Sequence, residues 1–169
     1  MPAKQRQSRQ NSYDPQNHIL DEVNLRLLAE LQASPRLAMA ELARRTGMSA
    51  PAVSERVQRL ERAGVIAGYR LDIDPAAVGL PITAFARIRP MPGSLPKIAE
   101  LAAALPEVTE CYRITGEDCF LLKLHAPAIE QLEAILDRFL AYGNTTTSIV
   151  VSTPVPLRPP PLPGPSAAL

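Results

Sequence analysis

Five arginines, Arg44, Arg45, Arg56, Arg59 and Arg62, fall within 19 consecutive positions, with Ser49, Pro51, Ser54, Glu55 and Gln58 among them. A guanidinium is planar, permanently charged, and offers its N–H groups as a fork that fits a phosphate or the O6/N7 edge of guanine. Hydroxyl and amide side chains complete a set suited to phosphates and base edges. A helix face that meets only water more often carries Lys and Glu in i,i+4 pairs. The preference for Arg therefore points to a polyanion. The ordinary alternative is a solvated face on which Arg59 and Arg62 pair with Glu55 and Glu61.

Little else in the chain could do chemistry. The two histidines, His18 and His125, and the two cysteines, Cys111 and Cys119, lack any metal-ligand spacing. No Gly-rich phosphate loop or nucleophile elbow occurs. No catalytic residue, metal site or cofactor is expected. So few cysteines suit a reducing cytosol, and a hairpin centred on Gly116-Glu117 would not set the two opposite each other.

The arginines need a scaffold. Ile19, Val23, Leu27, Leu28 and Leu31 recur at helical spacing, and Ser34-Pro35 ends that helix. Met39 to Thr46 makes a short second helix closed by Gly47, with Ala38 a weak cap. Ser49 caps a third helix that accepts Pro51 in its first turn. Val53, Val57 and Leu60 share one buried stripe of it. Pro51, Ser54, Glu55, Gln58, Arg59 and Arg62 lie on the opposite half, with Arg56 at the flank and expected to reach a phosphate sideways. Two helices joined by a Gly turn form the skeleton of a helix-turn-helix.

After Gly64 the period becomes extended, and Val65 to Asp74 reads as a strand or small wing. Strands are then expected at Ile82–Arg89, Val108–Thr115, Cys119–His125 and Thr145–Ser152. Helices striped by Ile98, Leu101, Ala102 and Leu105, and by Ile129, Leu132, Ile135, Leu136 and Phe139, alternate with them. The order βαββαβ is the ferredoxin-like plan, which covers one sheet face with both helices and leaves the other for a partner subunit. The fold class is thus α+β. Residues 1–17 read as a flexible basic arm, 18–64 as the helix-turn-helix, 65–80 as a wing and linker, 81–152 as the ferredoxin-like domain and 153–169 as a Pro-rich disordered tail.

Composition agrees with this division. The chain has 169 residues, 46% hydrophobic and 21% charged, enough to bury a core and too apolar for wholesale disorder. Residues 1–70 hold eleven Lys or Arg against seven Asp or Glu, a net +4, whereas 71–169 hold seven against ten, a net −3. A basic half joined to an acidic one suggests that the first meets a polyanion. No apolar run reaches the roughly 18–20 residues of a membrane span, and the polar N-terminus has no secretory character. A cytoplasmic, nucleoid-associated protein is expected.

Leu20-Asp21, Glu41-Leu42-Ala43, Gly47-Met48-Ser49 and the string SERVQRLERAGVIAGYRLDIDPAAVGL resemble the Lrp/AsnC family of transcription regulators over about Leu20 to Val151. The resemblance implies a winged helix-turn-helix followed by an effector-binding and assembly domain. It implies double-stranded DNA with a palindromic operator as partner, and a homodimer or an octamer built as a tetramer of dimers. By the resemblance Ser49, Pro51, Ser54, Arg56 and Arg59 would be the principal DNA-facing or backbone-facing residues, and residue type adds Arg44, Arg45, Gln58 and Arg62 to the DNA-binding set. A small effector, an amino acid, would bind at the turn Thr115-Gly116-Glu117-Asp118. There Gly116 would let the backbone approach, N–H groups would hold a carboxylate, and Glu117 or Asp118 would meet an ammonium. Asn24 and Ala38 depart from the family's usual Asp and polar cap, and Cys119-Phe120 from its Asp-aromatic pair. A siroheme decarboxylase of the same two-domain architecture is the enzymatic alternative.

Overall fold

The computed structural model describes residues 18–163; the arm at 1–17 and the end of the tail from 164 lie outside the described residues. The chain divides into two units. One comprises residues up to Arg70 together with those from Leu157 on, and the other runs from Leu71 to Pro156.

In the first unit a single 3-10 turn, His18–Leu20, leads into α1 (Glu22–Ala33), α2 (Met39–Thr46) and α3 (Ala50–Arg62). Asp21 caps α1, its carboxylate accepting the Asn24 N–H at 2.7 Å. No side chain caps α2 at Ala38, and Gly47, left-handed at φ 69°, ends it. Ser49 caps α3 by accepting from the Ala52 N–H at 3.4 Å. Leu27, Leu31, Leu42, Ala43, Val53 and Val57 form one core cluster, and Ile19, Leu28 and Leu60 a second. At about 1.5–3 kcal/mol for each large side chain fully buried, these stripes hold three short helices that would not persist singly in water.

Two expectations need correcting here. Residues 65–74 form no strand: Tyr69, Leu71 and Ile73 alternate along extended chain, but all three are exposed. A strand needs a neighbour for its N–H and C=O groups, and among the described residues this segment has none. The tail is not free throughout. Leu162 packs against the Ile19–Leu28–Leu60 cluster, and Gln32 donates from Nε2 to the Pro160 carbonyl at 3.2 Å.

The second unit contains β1 (Ile82–Pro90), α4 (Leu95–Ala104), β2 (Val108–Arg113), β3 (Phe120–Ala126), α5 (Ile129–Leu140) and β4 (Gly143–Ile149). They build an antiparallel sheet of order β2-β3-β1-β4, the ferredoxin-like arrangement. Ala84, Ala86 and Ile88 alternate with exposed residues along β1 and face the helices. There they meet Leu122 and Leu124 of β3, Ile98 and Ala102 of α4, and Leu132, Ile135 and Phe139 of α5. The small residues Ala84 and Ala86 leave room for Phe120 and Phe139, both fully buried. The opposite face carries Thr83, Phe85, Arg87 and Arg89 of β1. β4 begins two residues earlier than the sequence suggests. Gly143 pairs with Pro90, so close to the next strand that a Cβ there would stand 2.5 Å from the Arg89 carbonyl oxygen. That glycine opens the strand as well as following the helix.

Candidate nucleic-acid interface and effector turn

α3 separates its two faces cleanly. Val53, Val57 and Leu60 are buried, while Pro51, Glu55, Gln58, Arg59 and Arg62 are exposed and Ser54 is half-buried. Among the described residues neither Arg59 nor Arg62 enters an ion pair. Glu61, one possible partner, instead accepts the Tyr69 hydroxyl at 3.0 Å. Burial first, and then that carboxylate, push the Tyr69 phenol above its ordinary value. Two guanidiniums, one amide and the exposed Ser49 at the helix start thus share an open surface on which neither Arg59 nor Arg62 is paired among the described residues.

The other three arginines are occupied. Arg56 turns inward: its Nη1 donates to Asp21 Oδ2 at 2.6 Å and to the amide oxygen of Asn24 at 3.1 Å. Asn24 is 2% exposed and passes the connection on, donating to the Ile19 carbonyl at 2.7 Å. Burial works to raise the Asp21 carboxyl, but the Arg56 hydrogen bond and the N–H groups of Asn24 and Val23 outweigh it and hold the group below its ordinary value. The expected sideways reach of Arg56 to a phosphate is therefore corrected. A fork that could serve a phosphate serves the α1 cap, because Asp21 supplies a carboxylate and Asn24 a buried acceptor on the adjoining helix. Arg44 and Arg45 both bind Glu41, Arg44 with two nitrogens at 2.7 and 2.8 Å, and Arg45 also reaches Glu30 at 2.8 Å. Their hydrogen bonds hold the Glu41 carboxyl down at about 2. Arg36, in the α1–α2 connection, is also exposed and without an ion pair among the described residues.

Thr115, Gly116, Glu117 and Asp118 lie together in the β2–β3 connection. Gly116 sits at φ 106° with open space where a Cβ would stand, so the backbone is approachable. The acids, however, are not waiting for a cation. Arg89 Nη2 lies 2.5 Å from Glu117 and its Nε 3.5 Å from Asp118, while Arg87 Nε is 3.9 Å from the same carboxylate. Glu117 and Asp118 thus stand as half of a four-charge group. Its cationic half was missed, although the period-two spacing of Phe85, Arg87 and Arg89 puts both arginines on the helix-free face. Cys119 Sγ donates to the Gly116 carbonyl at 3.4 Å, bracing the turn.

Elsewhere, His125 is buried and its Nδ1 lies 3.0 Å from the Thr83 hydroxyl. Cys111 is opposite Leu122 and both thiols are free, as the hairpin register required. Among the described residues no three His, Cys, Asp or Glu gather as metal ligands, and no helix is long and apolar enough to cross a membrane.

Comparison with known proteins agrees with this architecture. Residues 20–67 match the family described as "Winged helix-turn-helix DNA-binding", and residues 83–160 match "Lrp/AsnC ligand binding domain". The transcriptional regulator LrpC of Bacillus subtilis is 33% identical over 133 residues, spanning 79% of this chain and 92% of the relative. LrpA of Mycobacterium tuberculosis is 37% identical over 140 residues, spanning 81% and 93%. The solved structure of B. subtilis LrpC superposes with a TM-score of 0.75, covering 79% of this chain and 96% of that one. A Neisseria meningitidis transcriptional regulator, solved as a complex with L-Met, gives 0.75 at 27% identity, over 80% and 92%. These relatives are transcriptional regulators and not enzymes, which decides against the decarboxylase reading. With its winged helix-turn-helix and four-stranded α+β module, the chain belongs to the Lrp/AsnC family of DNA-binding transcription regulators.

Proposed function

We propose that this regulator reads a palindromic operator as a homodimer, and that a small effector, an amino acid, adjusts its assembly or its DNA affinity. The observation that carries the reading is the open face of α3, where Arg59, Arg62 and Gln58 are exposed opposite a fully buried stripe. Arg59 and Gln58 reach base edges or phosphates, Arg62 a phosphate. Ser49, Pro51 and Ser54 bring the start of the helix against the backbone. Arg44 and Arg45 add phosphate contacts only by exchanging Glu41 and Glu30 for DNA, and Arg56 supports the interface from beneath. Dimerisation is favoured by the helix-free sheet face, on which Phe85 is exposed. Two copies of α3 then enter major grooves about one helical turn, or a multiple of it, apart. Assembly of four such dimers into an octamer needs no change in the subunit.

The effector is assigned to Thr115–Asp118. Gly116 opens the backbone to a carboxylate, and an ammonium takes over Glu117 or Asp118 from Arg89. An amino acid as the ligand class is supported by the L-Met complex of the Neisseria neighbour. The test is capture of genomic fragments by the purified protein, with and without each amino acid, followed by titration of the enriched duplex at several salt concentrations. The expected result is a palindromic site whose affinity falls steeply with salt and shifts with one class of amino acid. Retention of no duplex in dilute buffer would overturn the DNA reading, and a profile indifferent to every amino acid would overturn the effector class.

A further inference from the structure

We propose that residues 157–163 form a strap that fastens onto α1 of the helix-turn-helix unit through Leu162, making the proline-rich tail a working part of that unit. The inference is independent of the DNA and effector readings. From Leu157 the chain groups with the first unit, although it has just left β4 in the second. Leu162 packs against the cluster formed by Ile19, Leu28 and Leu60, and Gln32 donates to the Pro160 carbonyl at 3.2 Å. The two contacts hold the tail at points two residues apart, one on the Gln32 side chain of α1 and one on the apolar cluster.

The composition that argued for disorder is what suits a strap. Pro159, Pro160, Pro161 and Pro163 surround Leu162. They fix φ before docking, so little backbone freedom is lost, and they bring no N–H that would need a partner. Leu162 lies beyond both matched family spans, 20–67 and 83–160. The chain thereby passes between its units twice, at Arg70–Leu71 and at Pro156–Leu157. Residues 150–156 are all that separate the end of β4 from the strap.

Amide hydrogen exchange tests this in the full chain, in Leu162→Ala, and in a chain ending at Pro156. Loss of a half-buried leucine contact predicts exchange in Ile19–Gln32 about tenfold faster in the truncated chain and several-fold faster in Leu162→Ala, with β3 unchanged. A synthetic peptide of residues 157–163, added near the millimolar effective concentration of a short tether, restores slow exchange to the truncated chain, whereas the peptide carrying Leu162→Asp does not. Exchange in α1 equal to that of the full chain in both variants overturns the strap. So does acceleration that the native peptide fails to reverse, or that spreads equally to β3.

Discussion

Substituting Arg56 and Arg59 separately distinguishes the two uses of arginine on α3. Arg56→Ala removes the donor to Asp21 Oδ2 at 2.6 Å and to Asn24 Oδ1 at 3.1 Å. The Asp21 end is partly exposed, 34% for the Arg56 side chain and 40% for Asp21, so screening limits that pair to about 0.2–1 kcal/mol. The Asn24 end is buried, and an orphaned acceptor there costs about 1–3 kcal/mol. Together they amount to about 2 kcal/mol, which in a unit this small lowers the melting temperature by about 8–16 °C. Arg59→Ala removes an exposed side chain with no ion pair among the described residues, so stability should stay within about 0.5 kcal/mol. Operator affinity should instead fall by about 1–3 kcal/mol, or about 5–150-fold, with a shallower salt slope if only phosphate is lost. Calorimetry and fluorescence anisotropy, the latter well below either melting point, read the two effects apart. An Arg56→Ala protein that melts like the parent but binds DNA as weakly as Arg59→Ala would refute the division of roles.

The remaining expectations concern the second unit. Gly143→Ala drives a Cβ to within 2.5 Å of the Arg89 carbonyl and should cost about 1–3 kcal/mol in denaturant unfolding; an unchanged midpoint would show that β1 and β4 can part freely. Burial, and then the charge of Lys123, depress the His125 imidazole below its ordinary 6.5, with Glu110 working the other way. The unfolded chain consequently binds the proton first. Stability of this unit should be full above the ordinary value and decline as pH falls through it towards the depressed folded value, a decline that His125→Gln should remove. Gly116→Val forces a branched side chain onto φ 106° and should abolish the effector response while leaving operator binding by the dimer intact. A full response in that variant would count against the turn as the receiving site.

Local rules were enough for most elements. The stripe from Ile19 to Leu31, Gly47, Ser49 and the stripe Val53–Val57–Leu60 mark three helices through capping and period alone, and β1 announces itself by alternation. What was not legible depended on contacts distant in sequence. Arg56 lies at the flank of a helical wheel, and only the fold brings Asp21, 35 residues away, to its guanidinium. Arg87 and Arg89 reach Glu117 and Asp118 because β1 lies beside β3, a neighbour relation that no local spacing encodes. Residues 65–74 have the pattern of a strand, yet a strand is completed by its neighbour. Proline content alone predicts an extended, disordered tail, and says nothing of where Leu162 can anchor it.

The four-charge group at the β2–β3 turn has a kinetic consequence. Two guanidiniums and two carboxylates held within 4 Å cancel at a distance, so the turn projects little field into solution. A zwitterionic effector of the kind proposed would be neither drawn in nor repelled, and its capture rate would be set by unaided encounter. On the proposed assignment of the effector to this turn, discrimination would begin only on contact, when incoming charges trade places with resident ones. The α3 surface behaves in the opposite way, attracting its polyanion from afar. One chain would thus meet its two kinds of partner on different terms, one recruited across a distance and the other selected at touch.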